Sequence, residues 1–215
     1  ETRQGADLRA SRLPTGAVVR DARMIDCTFG GASCDARSFT TFERVALVRP
    51  TITTRLVMNL VCRDVVVDGS KTGTKPLSLV NVLCARVRLV GDHGRLFFRA
   101  DPEHLPKGDE RMVATFYDDV PWALDIREGR FRELTLRGYP AHLVLRDPAR
   151  HAVVLGERLA ADPAWRRLDP GLVAVLQHAL ESPDDCHFLC ASDSRPRGSA
   201  DQKQIATLRA MGLVD

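Results

Sequence analysis

The sequence predicts a mainly β protein, a right-handed β-helix (solenoid) with a small C-terminal α-helical region. Three observations predict this fold. Apolar residues recur at every fifth position through the first half of the chain, and a longer repeat of about twenty residues superposes on them. After residue 155 the apolar spacing changes to the three and four that are typical of helices.

The five-residue pattern is the main evidence for a solenoid. An amphipathic helix needs apolar spacings of three and four, and a single strand needs two. A spacing of five fits a chain that turns a corner every few residues, so that stacked coils pair strands and bury one inner column. The pattern has thirteen positions: Met24, Phe29, Cys34, Phe39, Phe42, Leu47, Ile52, Val57, Cys62, Val67, Leu79, Cys84 and Leu89. A small or apolar residue usually stands two positions earlier.

A longer repeat agrees with this interpretation. Segments that begin at Met24, Phe42, Cys62 and Cys84 superpose at steps of 18, 20 and 22 residues, and a segment that begins at Phe131 fits the same template. We therefore predict five or six coils between about residues 17 and 150. A plain antiparallel sandwich or barrel is the alternative.

The five-residue pattern between residues 20 and 92 resembles the pentapeptide-repeat family. In that family a right-handed β-helix places a large apolar residue at the centre of each five and a small residue two before it. The family usually carries Asp or Asn just before the central residue, where this chain has Arg23, Thr28 and Ser33, among others. A looser right-handed β-helix is a close alternative. Some members of the family act on topoisomerases through an acidic surface, a role that we do not carry over because residues 17–100 are net +6.

We divide the chain into three parts. Residues 1–16 form an N-terminal extension, residues 17–155 the β-solenoid, and residues 156–215 a helical cap or a small helical domain. Asp169 and Pro170 begin one predicted helix that runs to Ser182, and another spans about Ala200 to Met211. The polar segment from Glu1 to Ser11 does not resemble a secretory signal, and the absence of an initiating Met leaves room for an upstream segment.

The cysteines and the hydropathy place the protein in the cytoplasm. Several of the six cysteines stand at apolar positions of the five-residue pattern, where a reduced thiol behaves as a small hydrophobic group. No apolar run approaches the length of a membrane span, so no membrane partner is expected.

We predict no metal, no cofactor and no identifiable catalytic residue. Cys186, His187 and Cys190 are three potential ligands, but structural zinc needs four, and the spacing of Cys27 and Cys34 does not supply the usual second pair. Cys34 also lies on the apolar pattern, where its thiol would point inward and stay protonated.

Basic residues are the candidate binding residues. We interpret Arg44, Arg63 and Arg86 as one outward column across stacked coils, with Arg88 beside it. The loop that carries Lys71 and Lys75 fails the P-loop spacing but is basic and flexible enough to contact an anion. The alternative is a solvated strand face on which Glu43 and Asp64 neutralise the arginines.

The leading functional hypothesis is a non-enzymatic binding or scaffold protein whose solenoid face docks a macromolecule, expected to be another protein. One alternative is nucleic-acid binding through the arginine column. Another is a β-helix enzyme that acts on a carbohydrate or acyl substrate, although the outward acids Asp26, Glu43, Asp64 and Asp68 are scattered. The sequence identifies neither the partner nor the oligomeric state.

Overall fold

The computed structural model describes residues 2–4, 18–26, 28–29, 39–73, 75–100, 104–137, 139–181, 186–192 and 197–215. These residues form a parallel β-solenoid of about five turns, followed by a C-terminal region that contains helices. The predicted fold class is therefore confirmed.

The strands of the solenoid are β1 (Thr2–Gln4), β2 (Val18–Ile25), β3 (Thr28–Phe29), β4 (Thr40–Val48), β5 (Thr51–Ile52), β6 (Leu56–Ser70), β7 (Leu77–Arg99), β8 (Leu124–Asp125), β9 (Gly129–Leu136) and β10 (Val144–Leu145). Helix α1 (Glu110–Thr115) lies between β7 and β8. The C-terminal region contains β11 (His151–Leu155), α2 (Gly156–Ala161), α3 (Pro170–Glu181), β12 (Cys186–Cys190) and α4 (Arg197–Ala210), with short 3₁₀ turns at Ala141–Leu143 and Pro163–Arg167.

The main sheet runs in the order β1-β2-β4-β6-β7-β8-β10, each pair parallel, and β9 pairs with the second half of β7. Its register stacks Met24, Leu47, Val67 and Leu89 above one another. Phe29 pairs with Ile52 in a separate two-stranded sheet.

The register corrects two steps of the predicted long repeat. Met24 pairs with Leu47, 23 residues on, and Val19 pairs with Phe42. The predicted step of 18 is wrong by five residues because every side of a five-residue pattern looks alike, so a shift by one side leaves the pattern unchanged. Phe131 pairs with His93 rather than continuing the Cys84 column, because the chain leaves the solenoid after β7 and returns at β8.

Most described positions of the apolar pattern line one continuous core, as predicted, but Phe39 instead packs against a second core on the outer surface. Phe42, Cys62 and Cys84 are buried in the continuous core, and Leu47 and Val67 pack against it. The residues two positions earlier, such as Val45, Val65 and Val87, belong to the same core. Both sets point inward, so the alternate residues of these strands point outward.

A left-handed residue follows the apolar position by two at nearly every side of the solenoid. Among the described residues these positions are Asp21, Asp26, Arg44, Arg49, Asn59, Asp64, Gly69, Asn81, Arg86 and Gly91, all with φ between 49° and 75°. A left-handed residue bends a strand locally, and these bends recur every five residues along a coil. The left-handed bends therefore recur with the same five-residue period as the apolar positions.

The segment that follows β7 covers part of the outer surface. Phe116 and Val120, which follow α1, form a second core with the outward residues Val61, Leu83 and Ala85. The segment is therefore part of the folded body.

Strands β11 and β12 contribute side chains both to the solenoid core and to the core of the C-terminal helices. Antiparallel β11 and β12 bring Val153 opposite Phe188, and both side chains belong to the solenoid core. On the opposite face of the same strand pair, Ala152 and Val154 pack with α2, α3 and α4 in a third core. The predicted helices are present as α3 and α4, whereas no strand was predicted at Cys186–Cys190, where five residues are too few to show a clear period.

A candidate docking face bordered by ion pairs

Asp21, Arg44, Asp64 and Arg86 form a row of alternating charge along one corner of the solenoid. The register places them at matching positions of four consecutive coils. Each has a left-handed backbone, with φ of 50°, 53°, 55° and 57°. We call this row the charged corner.

The charged corner is held by ion pairs between coils. Arg44 donates to both carboxylate oxygens of Asp21 at 2.6 and 3.0 Å, and Arg86 to both oxygens of Asp64 at 2.6 and 2.7 Å. The bound guanidinium of Arg44 lowers the pKa of Asp21, and that of Arg86 lowers the pKa of Asp64. The four side chains remain 39% to 64% exposed, so the row presents its alternating charges to solvent.

The structure corrects the predicted arginine column. Arg44 and Arg86 do share a column, but Asp64 lies between them. Arg44 and Arg86 stand two residues after Phe42 and Cys84, but Arg63 stands only one residue after Cys62. Arg63 therefore stacks between Glu43 and Ala85 in the next column. Its guanidinium lies 4.7 Å from the centre of the Phe116 ring. The three arginines do not form a single surface for phosphates.

The other predicted binding residues lie apart from one another. Arg88 is on β7 and contacts Glu128 at 3.1 Å and Asp125 at 3.8 Å. Lys71 follows β6, where its backbone bonds to Pro50 and Ile52, and Lys75 is exposed in the next loop. Sequence reasoning missed Asp21 as a member of the site, although its position two residues after an apolar one is visible in the sequence.

A second charged corner lies five residues further along each coil. Arg49 donates to both carboxylate oxygens of Asp26, at 2.8 Å each. Gly69 and Gly91 continue this corner with φ of 64° and 75°. A side chain on Gly91 would come within 3.0 Å of the Asp68 carboxylate, so the coils approach too closely here for a larger residue.

Between the two corners lies a narrow outer face with an apolar centre. One outward row is Arg23, Ala46, Val66 and Arg88, and the next is Ile25, the buried Val48, the exposed Asp68 and Val90. We call these eight residues the mixed face. Ala46, Val66 and Val90 are half-buried and belong to none of the three cores. An apolar centre with a charged border is the usual composition of a protein-binding surface.

The polar groups inside the solenoid form structural contacts. Ser70 hydrogen-bonds to Nδ1 of His93 at 2.9 Å, and His93 stacks on Phe131 with ring centres 5.1 Å apart. Burial lowers the pKa of His93 to about 4. Ser70 and His93 are both buried, so this serine and histidine lack the access to substrate that a hydrolytic pair requires.

The buried thiols are similarly enclosed. The Sγ atom of Cys84 is 3.7 Å from the hydroxyl of Tyr139, which itself donates to the carbonyl of Val82. Burial raises the pKa of the Cys84 thiol to about 12, which keeps it protonated and unreactive at neutral pH.

Within the described part of the chain, no group of three or more His, Cys, Asp or Glu side chains could hold a metal ion. Cys27 and Cys34, and the side chains of Cys186 and His187, lie outside that description. No described helix is both long and apolar enough to cross a membrane.

No protein-family model matches the chain, and the comparisons with curated proteins and with solved structures found no significant match.

Proposed function

We propose that the protein is a non-enzymatic docking protein that binds another protein through the mixed face. The observation that carries this proposal is the set of apolar side chains Ala46, Val66 and Val90, which belong to none of the three cores formed by the described residues. Removing such side chains from water is the main source of affinity in protein association.

The charges favour a protein partner over nucleic acid. Nucleic-acid binding needs cations that are available to replace the counterions of phosphates. Arg44, Arg86 and Arg88 instead bind carboxylates of neighbouring coils. A row of alternating charges is complementary to another patterned surface and is close to neutral towards a polyanion.

We include in this proposal that the protein is a degenerate pentapeptide-repeat protein, which the five-residue spacing supports. Coils of 20 to 23 residues, read from the spacing of Met24, Leu47, Val67 and Leu89, approximate four sides of five residues. Reduced, buried Cys62 and Cys84 support a cytoplasmic location as part of the same proposal.

Site-specific photo-crosslinking tests the proposal. A photoreactive amino acid is placed at position 66 in the centre of the mixed face, and at position 175 as a matched control, since Val175 is an exposed valine of a different surface, on α3. In an extract of the source cells we expect a discrete crosslinked protein from position 66 only. Equal labelling from both positions, or no product from position 66, would contradict docking through this face.

A further inference from the structure

The partner that best fits the mixed face is a second copy of this chain. We infer that two copies dock face to face, with their coils stacked in opposite order; this inference rests on the docking function proposed above. It is argued from the order of charges along the charged corner.

The charged corner is complementary to its own reverse. Read from the first coil to the fourth it is Asp21, Arg44, Asp64 and Arg86, and in reverse order every position has the opposite sign. A two-fold axis that lies in the interface, along the strands and between the second and third coils, produces this reversal. It places Asp21 opposite Arg86 of the second copy and Arg44 opposite Asp64 of the second copy, each pair occurring twice.

The same axis brings the apolar residues together. Ala46 faces Val66 of the second copy, and Ile25 faces Val90. Arg23 faces Arg88, but Arg88 is already neutralised by Glu128 and Asp125 of its own chain. Val48 faces Asp68 of the second copy, and at the second corner Asp26 faces Gly91 and Arg49 faces Gly69. The contact therefore combines apolar pairs with opposite charges along the charged corner.

The other two-fold arrangement is disfavoured by charge. An axis along the solenoid would keep the coils in the same order and place each charged corner against the second corner of the other copy. Asp21 would then face Asp26, and Arg44 would face Arg49, so like charges would meet in both of these coils. Only the reversed order brings opposite charges together along the whole row.

The size of the face predicts a weak dimer. Four strands about 4.8 Å apart, each with six residues when both corner residues are included, give a face of about 20 Å by 20 Å. That is roughly 400 Å² per copy, about half of a standard interface. We therefore expect a dimer that forms only at high concentration and weakens as salt screens the border charges.

Analytical ultracentrifugation of the purified chain is the first test. Between about 5 and 500 µM, where weak interfaces become populated, the mean mass should rise from one copy towards two, and added salt should reduce it. Val66→Glu should weaken association at least about tenfold, because two new carboxylates, one from each copy, must be desolvated at the centre. Val175→Glu is the matched control and should leave association unchanged. A monomer at every concentration would overturn the inference.

A charge-swapped chain tests the reversed order itself. The variant Asp21→Arg, Arg44→Asp, Asp64→Arg and Arg86→Asp reverses the two ion pairs between coils, removes the ion pair of Arg44 with Glu43, and keeps the row complementary to its own reverse. It should associate with itself as the natural chain does, but a mixture of the two chains should contain few mixed dimers, because like charges then meet at the border. Free mixing of two differently labelled chains would overturn the reversed arrangement.

The two proposals fail separately. If the purified chain stays monomeric while position 66 still crosslinks to a different protein in the extract, self-docking is wrong and the docking function stands. If the chain dimerises but position 66 yields no crosslinked product with any protein in the extract, including itself, then the dimer uses another surface and both proposals are wrong.

Discussion

At the scale of single residues, the arginines of the charged corner combine a strained left-handed backbone with an ion pair to the preceding coil. A left-handed backbone costs a residue with a Cβ atom about 1–2 kcal/mol. Arg44 and Arg86 adopt it with φ of 53° and 57°, and each then reaches both oxygens of a carboxylate on the preceding coil. The ion pair is half-exposed and so contributes little by itself. The left-handed bend is therefore imposed by the packing of the coils around it.

Substitutions at Arg86 separate the backbone from the ion pair. Arg86→Gly and Arg86→Val both remove the contact with Asp64, but only valine is strained at φ 57°. We expect Arg86→Val to be less stable than Arg86→Gly by about 1–2 kcal/mol. Urea unfolding of the two variants measures this difference. Equal midpoints and slopes would show that the left-handed bend is not maintained in solution.

At the scale of elements, the antiparallel pair of strands β11 and β12 connects the two halves of the molecule. Val153 and Phe188 on one face close the solenoid core, and Ala152 and Val154 on the other face pack with the helices. Arg150 also donates to the carbonyl of Gly129 at the start of β9. A parallel stack would otherwise end in an unpacked core, and this layer covers it.

Phe188→Ala is the matching prediction at this scale. Phe188 is buried in the solenoid core, so its truncation should cost about 3–5 kcal/mol. Hydrogen exchange should become faster in β9 as well as in the C-terminal region. Leu176→Ala, buried among the helices instead, serves as the control and should speed exchange in α3 and α4 before β9. Unchanged protection of β9 in Phe188→Ala would contradict the role of strands β11 and β12 in covering the end of the solenoid core.

At the scale of the whole molecule, each half contains a buried neutral histidine. His93 lies in the solenoid, and His151 is the first residue of β11. Burial lowers the pKa of each histidine from 6.5 to about 4. The unfolded chain therefore binds protons that the folded chain does not between these pH values. Stability is full above pH 6.5 and falls as the pH drops towards 4.

The pH dependence of unfolding checks this expectation. Between pH 7 and pH 5 each histidine should remove roughly 2 kcal/mol from the free energy of unfolding. His93→Gln should be less stable at pH 7 but should lose less stability on acidification, and His151→Gln should do the same. The carboxylates of Asp21 and Asp64, whose pKa values are lowered, contribute only below about pH 4. A natural chain whose stability does not change between pH 7 and pH 5 would contradict the burial of both histidines.

The sequence by itself determined the solenoid, the inward direction of its apolar residues and the two long C-terminal helices. These features follow from the spacing of apolar residues along the chain, which can be read without knowing which coils are neighbours. Leu47, Val67 and Leu89 are apolar and avoid water, whichever coil they belong to.

Only the tertiary structure decided which residues of different coils meet. A five-residue pattern is unchanged by a shift of five, so the pairing of Met24 with Leu47 rather than Phe42 could not be read from it. The alternation of Arg44, Asp64 and Arg86 does not depend on this ambiguity, because each stands two residues after Phe42, Cys62 or Cys84, whereas Arg63 stands one residue after Cys62 and belongs to the next column. Register is set by the packing of whole coils, and the charged corner, the mixed face and the proposed self-docking all depend on that register.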